Sequence, residues 1–319
     1  MPTITSSMFS SLRSIHAPST KLKIFRTFNV ITLLAFFSLN VYSLVISPSS
    51  IDICNKYPTY FTPSLIFVGI FWSILFFLQF SFTFYAQFND VRIVQEVVGN
   101  FVSRWFYVSN LFMCGWLFFW MRESFILSGI CVFMALTSTA IVQNHLTAQY
   151  ITNHALIPTS VISFIHIPFS MFAAFSFFLL FHNGFVYLSQ QGYEKNIYSA
   201  IISASFLTIY SILWCTTGIF SKGRRDFIFS LTIAWSLLGV SFQQKEDSFL
   251  SDTICLLALS QLFVVFFIIF KNCSKATKNT TRSGERESLF QHRMNFYGGI
   301  IVDNWYKPPI NDDQPAEVV

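Results

Sequence analysis

The sequence predicts an all-α polytopic membrane protein with about eight transmembrane helices. Of its 319 residues, 53% are hydrophobic and only 11% are charged, whereas ordinary soluble domains carry about 25% charged residues. The mean hydropathy is +0.55, and the chain contains 41 Phe. A water-soluble globule of this length cannot hide so much apolar surface. The composition therefore argues against a soluble enzyme, a disordered regulator and a nucleic-acid-binding domain.

Eight apolar runs are long enough to cross a bilayer, whose hydrocarbon core takes about 20 residues of helix. The segments before and after them, 1–26 and 271–319, are polar and predict disordered cytosolic tails. The predicted membrane spans are 27–47, 64–87, 104–121, 124–144, 160–181, 197–220, 226–243 and 250–270.

Short polar connections separate these spans. Three basic residues between positions 21 and 26 directly precede the first span. Only residues 121–123 lie between the third and fourth spans, which predicts a tight helical hairpin. An uncharged polar loop containing His145 and His154 joins the fourth span to the fifth. The remaining tail is basic at first and ends in an acidic, Pro-containing segment.

The distribution of Lys and Arg predicts the orientation. With a cytosolic N-terminus, the cytosolic segments hold sixteen of these residues and the opposite segments hold four, which are Lys56, Arg122, Lys195 and Lys245. Cytosolic loops of membrane proteins carry such an excess of Lys and Arg. Both tails are basic, which supports an even number of spans and two cytosolic termini. The sequons at Asn272 and Asn279 then lie in the cytosolic tail and are predicted to stay unmodified.

Few groups in the chain indicate chemistry. His166 lies inside the fifth predicted span and precedes Pro168, whose ring frees a backbone carbonyl one turn back. The imidazole either bonds such a carbonyl or a neighbouring helix, or it contacts a ligand. The absence of an acid in the middle of a span argues against proton-coupled or sodium-coupled transport. The sequence has no clustered His, GxSxG, HExxH or P-loop, and its six Cys lack zinc spacing. We predict no catalytic residue, metal or cofactor, and no enzyme activity.

Aromatic residues are abundant, since the chain contains 12 Tyr and 7 Trp in addition to its 41 Phe. Trp116 and Trp120 are four residues apart and so share one face of the third span. They either wall a pocket for a flat apolar ligand or lie in an interfacial belt. Spacing alone slightly favours the belt.

Several landmarks in order resemble the TspO/tryptophan-rich sensory protein family, and more closely its longer eight-span relatives. The run 57–63 leading to Trp72 is similar to the FTP…W entry of that family's second helix. The run 109–120 is similar to its N…W…W third helix, and 167–175, ending near Asn183, to its fifth helix. The run 224–239 is similar to the RRDF…WALLG segment of the longer members. The resemblance covers about 27–245.

The resemblance implies a five-helix bundle with three added helices. It also implies a cavity between the helices for a flat hydrophobic ligand such as a tetrapyrrole or a sterol. Phe172 and Phe175 stand where the family has Tyr and Trp, and Met113 stands near a family Asn. Phe172 and Phe175 keep the aromatic rings but have no polar group to hydrogen-bond a porphyrin carboxylate. Lipid-like ligands therefore remain candidates. The candidate ligand-binding residues are Trp72, Trp116, Trp120, His166, Phe172 and Phe175.

The leading hypothesis is a non-enzymatic multi-pass protein that binds, senses or moves a small apolar ligand in its aromatic core. The alternatives are a secondary transporter without obvious ion coupling, and a receptor or scaffold acting through its C-terminal tail. Tyr297 to Ile300 fits a Tyr-x-x-apolar sorting signal, which points to an endomembrane location in the endoplasmic reticulum, Golgi or vacuole. Membrane lipid and an apolar small molecule are the expected partners; nucleic acid is not. The oligomeric state is open, a homodimer included.

Overall fold

The computed structural model describes residues 20–88, 98, 102–152, 162–217 and 226–282, and this part of the chain contains helices but no strand. The helix Ile167–Gln190 is preceded by a π-helical turn, Ile162–His166. The helices in chain order are α1 Thr20–Val45, α2 Ser50–Lys56, α3 Leu65–Phe88, α4 Ser103–Met121, α5 Phe125–Thr152, α6 Ile167–Gln190, α7 Ile197–Thr217, α8 Phe227–Gln243 and α9 Ser248–Arg282.

Six of these helices are long and apolar enough to cross a membrane: α1, α3, α5, α6, α7 and α9. The apolar helix α8 has 17 residues and α4 has 19. At 1.5 Å per residue they are about 26 and 28 Å long, close to the roughly 30 Å of a bilayer core. Together they make eight helices of spanning size, which agrees with the all-α class and the approximate number of spans that the sequence predicts.

The helix ends differ from the predicted span limits by more than three residues at four places. Helix α5 continues to Thr152, past the predicted limit at 144, so His145 is helical and not in a loop. Helix α1 begins at Thr20, inside the predicted N-terminal tail. Helix α6 continues to Gln190, past the predicted limit at 181. Helix α9 continues to Arg282, so the first residues of the predicted C-terminal tail are helical. Hydropathy reports where a chain leaves the apolar layer, and a helix does not have to end there.

The packing divides the helices into a five-helix bundle and three added helices. In the bundle, α1 packs on α3 and α4, α4 packs on α5, α5 packs on α6, and α6 packs on α3. Helix α8 joins the added group to the bundle, because it packs on both α6 and α3 and also on α7 and α9. This arrangement agrees with the five-plus-three architecture implied by the family resemblance.

Helix α2 marks one end of the bundle, called here the α2 end. Ser49 begins α2 with a capping box: its hydroxyl accepts from the N–H of Asp52, and the Asp52 carboxylate accepts from the N–H of Ser49. Lys56 of α2 reaches Glu123 of the α4–α5 turn at 2.6 Å. The α2 end also holds the α6–α7 and α8–α9 turns, so it contains Lys56, Arg122, Lys195 and Lys245, which are the four basic residues that the sequence separates from the other sixteen.

Asn183 of α6 ties three helices together near the α2 end. Its side-chain amide donates to the carbonyl of Phe125 at 2.6 Å, and its side-chain oxygen accepts from the hydroxyl of Ser128 at 2.8 Å. Ser128 also reaches the carbonyl of Trp116 on α4 at 3.4 Å. Gly129 makes this approach feasible, since a Cβ there would lie only 3.0 Å from Nδ2 of Asn183.

Replacing Asn183 with Leu is expected to destabilise the bundle. The substitution leaves the Phe125 carbonyl and the Ser128 hydroxyl buried without their partner, which costs about 1–2 kcal/mol. Asn40→Leu is the matched control. The Asn40 side-chain amide donates to the carbonyl of Phe36, which is partly buried and belongs to the same helix. Thermal unfolding in mild detergent measures both. Equal unfolding temperatures for the two variants would show that the hydrogen bonds of Asn183 do not hold the three helices together.

Candidate ligand site in the aromatic core

Helices α3 and α4 each bury one face toward the interior of the bundle. The buried face of α3 includes Phe71, Leu75, Gln79 and Phe82, which recur at the spacing of three to four residues that defines one side of a helix. The buried face of α4 follows the same spacing, through Phe106, Asn110, Met113, Trp116 and Trp120.

Large rings bridge the space between α3 and α4. The two helices pack mainly on other helices rather than on each other: α3 on α1, α6 and α8, and α4 on α1 and α5. Their side chains nevertheless meet at two levels. The Trp72 and Trp116 rings stack at 6.3 Å between centroids, and the Phe82 and Phe106 rings meet edge to face at 4.9 Å. The interior between α3 and α4 is therefore filled by side chains from both.

Helices α1 and α6 contribute further rings to the same interior. Phe175 of α6 lies edge to face with Trp72 at 5.2 Å and stacks on Phe71 at 4.0 Å. Phe172 stacks on Phe36 of α1 at 6.3 Å, and Phe36 meets Trp72 at 5.5 Å. These contacts form one continuous network, called here the aromatic core, which consists of Phe36, Trp72, Trp116, Trp120, Phe172 and Phe175.

Trp120 extends the aromatic core toward the α2 end. Its ring lies 6.2 Å from Trp116 and 5.5 Å from His182 of α6. Trp116 is 7% exposed and Trp120 3% exposed. The slight preference for an interfacial belt is therefore wrong, because both rings point into the bundle. Ile53 of α2, which is fully buried, packs in one cluster with Trp120 and Phe125, so α2 covers this end of the aromatic core.

The structure brings together five of the six candidate residues: Trp72, Trp116, Trp120, Phe172 and Phe175. It places His166 elsewhere, in the π-helical turn before α6. There, Nε2 of His166 lies 3.6 Å from Oδ2 of Asp226, and the same carboxylate oxygen accepts from Ser170 at 2.7 Å. Asp226 also caps α8 by accepting from the N–H groups of Ile228 and Phe229. These contacts give His166 a role in joining α6 to α8.

Three buried polar residues near the aromatic core were not among the candidates: Gln79, Asn110 and His182. Helical spacing indicates the first, because Gln79 follows Trp72 by seven residues, two turns along the same side of α3. Asn110 is the Asn of the N…W…W run, and it lies one turn after Phe106 on α4. Both are buried on the interior faces of their helices. Helical spacing would not have found His182, because it lies just past the predicted end of the fifth span at residue 181.

The segment 224–239 has a packing role on the outside of the core. Trp235 of α8 donates its indole N–H to the carbonyl of Phe67 on α3 at 3.0 Å. The carbonyl of Gly239 accepts from the N–H of Ser64 at 2.8 Å. A Cβ at Gly239 would lie 3.0 Å from Cβ of Phe67, so a larger residue would force the two helices slightly apart. The described part of this motif holds α8 against the start of α3.

The described residues contain no group of three or more His, Cys, Asp or Glu able to hold a metal ion. Among the described residues, Cys54, Cys114, Cys131, Cys215 and Cys255 form no disulfide bond. What the described interior offers is apolar rings with a few amide, indole and imidazole groups among them. Such a site can stack against a flat apolar molecule and can hydrogen-bond an uncharged polar group.

The family model described as TSPO-like protein matches residues 26–271, which is most of the chain. The chain belongs to the TSPO-like protein family. The matched region runs from α1 into α9 and includes all eight helices of spanning size together with the whole aromatic core. No curated protein and no solved structure matches the chain. The TSPO-like family is not generally one of enzymes, and this chain is a multi-pass helical membrane protein.

An ionic contact closes the α2 end over this TSPO-like bundle. Glu123 accepts from Lys56 at 2.6 and 2.7 Å and from the hydroxyl of Tyr57, while its carbonyl accepts from Gln190 at 2.9 Å. Glu123 has a φ of 56°, a left-handed conformation that glycine adopts more easily. The bonds from Lys56 and then Tyr57 lower the pKa of Glu123 below its ordinary value.

The lowered pKa predicts an acid-dependent loss of stability. A carboxyl group whose pKa is lowered by folding stabilises the fold above its ordinary pKa, about 4.5, and this contribution is lost as the pH falls through the folded-state pKa. Glu123→Gln removes the titrating group. Its unfolding temperature should therefore lie below that of the wild type at pH 7 and approach it as the pH falls from 5 to 3. A difference that stays constant over this range would contradict the ionic contact.

Proposed function

We propose that this TSPO-like protein binds a small apolar ligand within its aromatic core and has no enzymatic activity. The observation that carries the proposal is the continuous network of rings from α1, α3, α4 and α6. A flat ligand that replaces a ring–ring contact with a ring–ligand contact keeps the stacking energy, about 0.5–1.5 kcal/mol for each aromatic pair beyond burial.

The arrangement around the core supports this proposal. Because α3 and α4 meet through the rings of Trp72 and Trp116, a ligand between the two helices would contact these rings rather than backbone. Helix α2 covers the core at one end, and its anchor to the bundle includes the exposed bond between Lys56 and Glu123. Opening of α2 gives a ligand a route to Trp120 that does not pass through the helices.

We also propose an endomembrane location, in the endoplasmic reticulum, Golgi or vacuole, with both termini in the cytosol. The α2 end, with its four basic residues, then faces the lumen. Membrane lipids surround the bundle, where large apolar side chains such as Phe77, Phe84 and Phe263 are about 70% exposed. Nucleic acid is not a partner on this proposal.

Two alternatives keep the same fold but differ in activity. A transporter without ion coupling would carry the ligand across a proteoliposome membrane, whereas a binding protein would only retain it. A receptor or scaffold would act through the tail, whose residues 283–319, including Tyr297 to Ile300, lie outside the described residues. Flux of a bound ligand, and function after removal of the tail, separate these alternatives from the proposal.

Binding is tested with cholest-5-ene, a flat sterol hydrocarbon with no polar group. The purified full chain in mild detergent should unfold at a higher temperature when cholest-5-ene is added. Trp116→Leu and Phe172→Leu, which replace a ring with a smaller apolar side chain, should weaken binding about tenfold, because apolar contact with the sterol is lost. Phe77→Leu is the matched control, since Phe77 lies on α3 but faces outward.

Two results would overturn the proposal. The first is a wild-type protein whose unfolding temperature does not respond to cholest-5-ene. The second is a loss of the response in Phe77→Leu that equals the loss in the two core variants, because the sterol would then bind the outer surface.

The orientation is tested by glycosylation. With cytosolic termini, Asn272 and Asn279 never meet the lumenal glycosylation machinery, so the chain expressed in cells with that machinery should keep the same electrophoretic mobility after enzymatic deglycosylation. A mobility shift that disappears in the double variant Asn272→Gln/Asn279→Gln would contradict the orientation.

A further inference from the structure

Two amide side chains, Gln79 of α3 and Asn110 of α4, are buried on the interior faces of their helices. The ring contact between Trp72 and Trp116 lies on one side of them, and the contact between Phe82 and Phe106 lies on the other. Counted at 1.5 Å per residue, Gln79 lies about 10 Å along α3 from Trp72, and Asn110 lies about 9 Å along α4 from Trp116, both toward the second contact. The two amides therefore lie at nearly the same level of the bundle.

Neither amide is bonded within the described part of the chain. Gln79 is 1% exposed and Asn110 is fully buried, and neither the oxygen nor the nitrogen of either side-chain amide has a hydrogen-bond partner there. Asn110 lies about 10 Å along α4 from Ser103 and about 16 Å from Met121, counted at 1.5 Å per residue. The two amides are therefore at membrane depth, where water does not supply the missing bonds.

An unbonded buried amide is costly, and a pair of them at one level is unusual. Transfer of such a group to an apolar environment without a partner costs about 2–7 kcal/mol, depending on the reference state. Polar side chains inside membranes generally have a role in function. The indole N–H of Trp116, on the same face of α4 as Asn110, is also buried without a partner among the described residues.

The chemistry of these groups selects the kind of ligand. Two amides offer both donors and acceptors and carry no charge, so they match a hydroxyl or a carbonyl group rather than a carboxylate or a phosphate. The neighbouring levels hold the rings of Trp72, Trp116, Phe82 and Phe106, which match apolar surface. The site therefore fits a molecule that is apolar apart from one uncharged polar group.

We infer that Gln79 and Asn110 are the specificity-determining residues of the ligand site, where they bind the single hydroxyl or carbonyl group of a neutral, flat, mainly apolar ligand. The inference rests on the proposed function and adds to it: the rings bind the apolar body, and the amides distinguish a ligand that has the polar group from one that lacks it.

The experiment compares two probes that differ only in a hydroxyl group, cholesterol and cholest-5-ene, on the purified full chain. Wild-type protein should bind cholesterol about tenfold more tightly, because one hydrogen bond made in a buried site is worth about that factor. The double variant Gln79→Leu/Asn110→Leu should bind the two probes equally and should retain its affinity for cholest-5-ene. Ser73→Leu, an outward-facing position on α3, is the control and should keep the wild-type preference.

Unfolding without ligand provides an independent measurement. Because the amides have no protein partner to lose, the double variant should unfold at the wild-type temperature or above it. A lower unfolding temperature would overturn the inference, since it would show that the amides serve to hold the helices together. Gln261→Leu gives the scale of such a loss, because the Gln261 amide does donate to the buried carbonyl of Ser230.

The outcomes separate this inference from the function on which it rests. If wild-type protein binds neither probe, the proposed function fails and the inference fails with it. If wild-type protein binds both probes equally, or if the double variant keeps the preference for cholesterol, the inference alone fails. In the latter two cases the aromatic core still binds apolar ligands, and the amides do not select among them.

Discussion

The contact between Trp72 and Trp116 across the interior is the interaction on which the rest of the bundle depends. In a bilayer, apolar surface between helices gains little from burial, because lipid tails are as apolar as the side chains. Membrane helices therefore commonly approach through small residues. Here α3 and α4 face each other through Trp and Phe, and the width of these rings sets the distance between the two backbones. The orientation of the rings therefore determines how the interior between α3 and α4 is filled.

Polar contacts are concentrated at the ends of the bundle and complement the rings of its middle. Asn183 joins α4, α5 and α6 near the α2 end, and Lys56 joins α2 to Glu123 on the outside of that end. At the opposite end, Asp226 joins the start of α8 to Ser170 of α6. With both ends fixed, the middle can hold rings and the amides of Gln79 and Asn110 without bonds between them. We propose that this middle region is where a ligand binds.

The sequence predicts the membrane-spanning class and the approximate number of spans, because hydropathy depends on composition within a window and not on tertiary contacts. It also identifies five ring residues that the structure brings together. It does not predict the burial of Trp116 and Trp120, since four-residue spacing places two rings on one face but does not say what that face meets. His166 was grouped with the rings although it packs against Asp226, because a single chain without its fold does not show which helix lies beside the fifth span. Gln79 and Asn110 were missed because spacing or a motif can place an amide on a helix face but cannot show that it is buried without a bonding partner among the described residues.

Photo-crosslinking tests the central claim most directly, because it locates the ligand. The purified chain is irradiated with a diazirine derivative of cholesterol, and the labelled peptides are identified by mass spectrometry with an excess of cholesterol as competitor. The account predicts labelling of residues around Trp72 on α3, Trp116 on α4 and Phe172 on α6, reduced by the competitor. Labelling confined to outward-facing residues such as Phe77 and Phe84, and not reduced by the competitor, would show that sterol only coats the surface and would contradict the account.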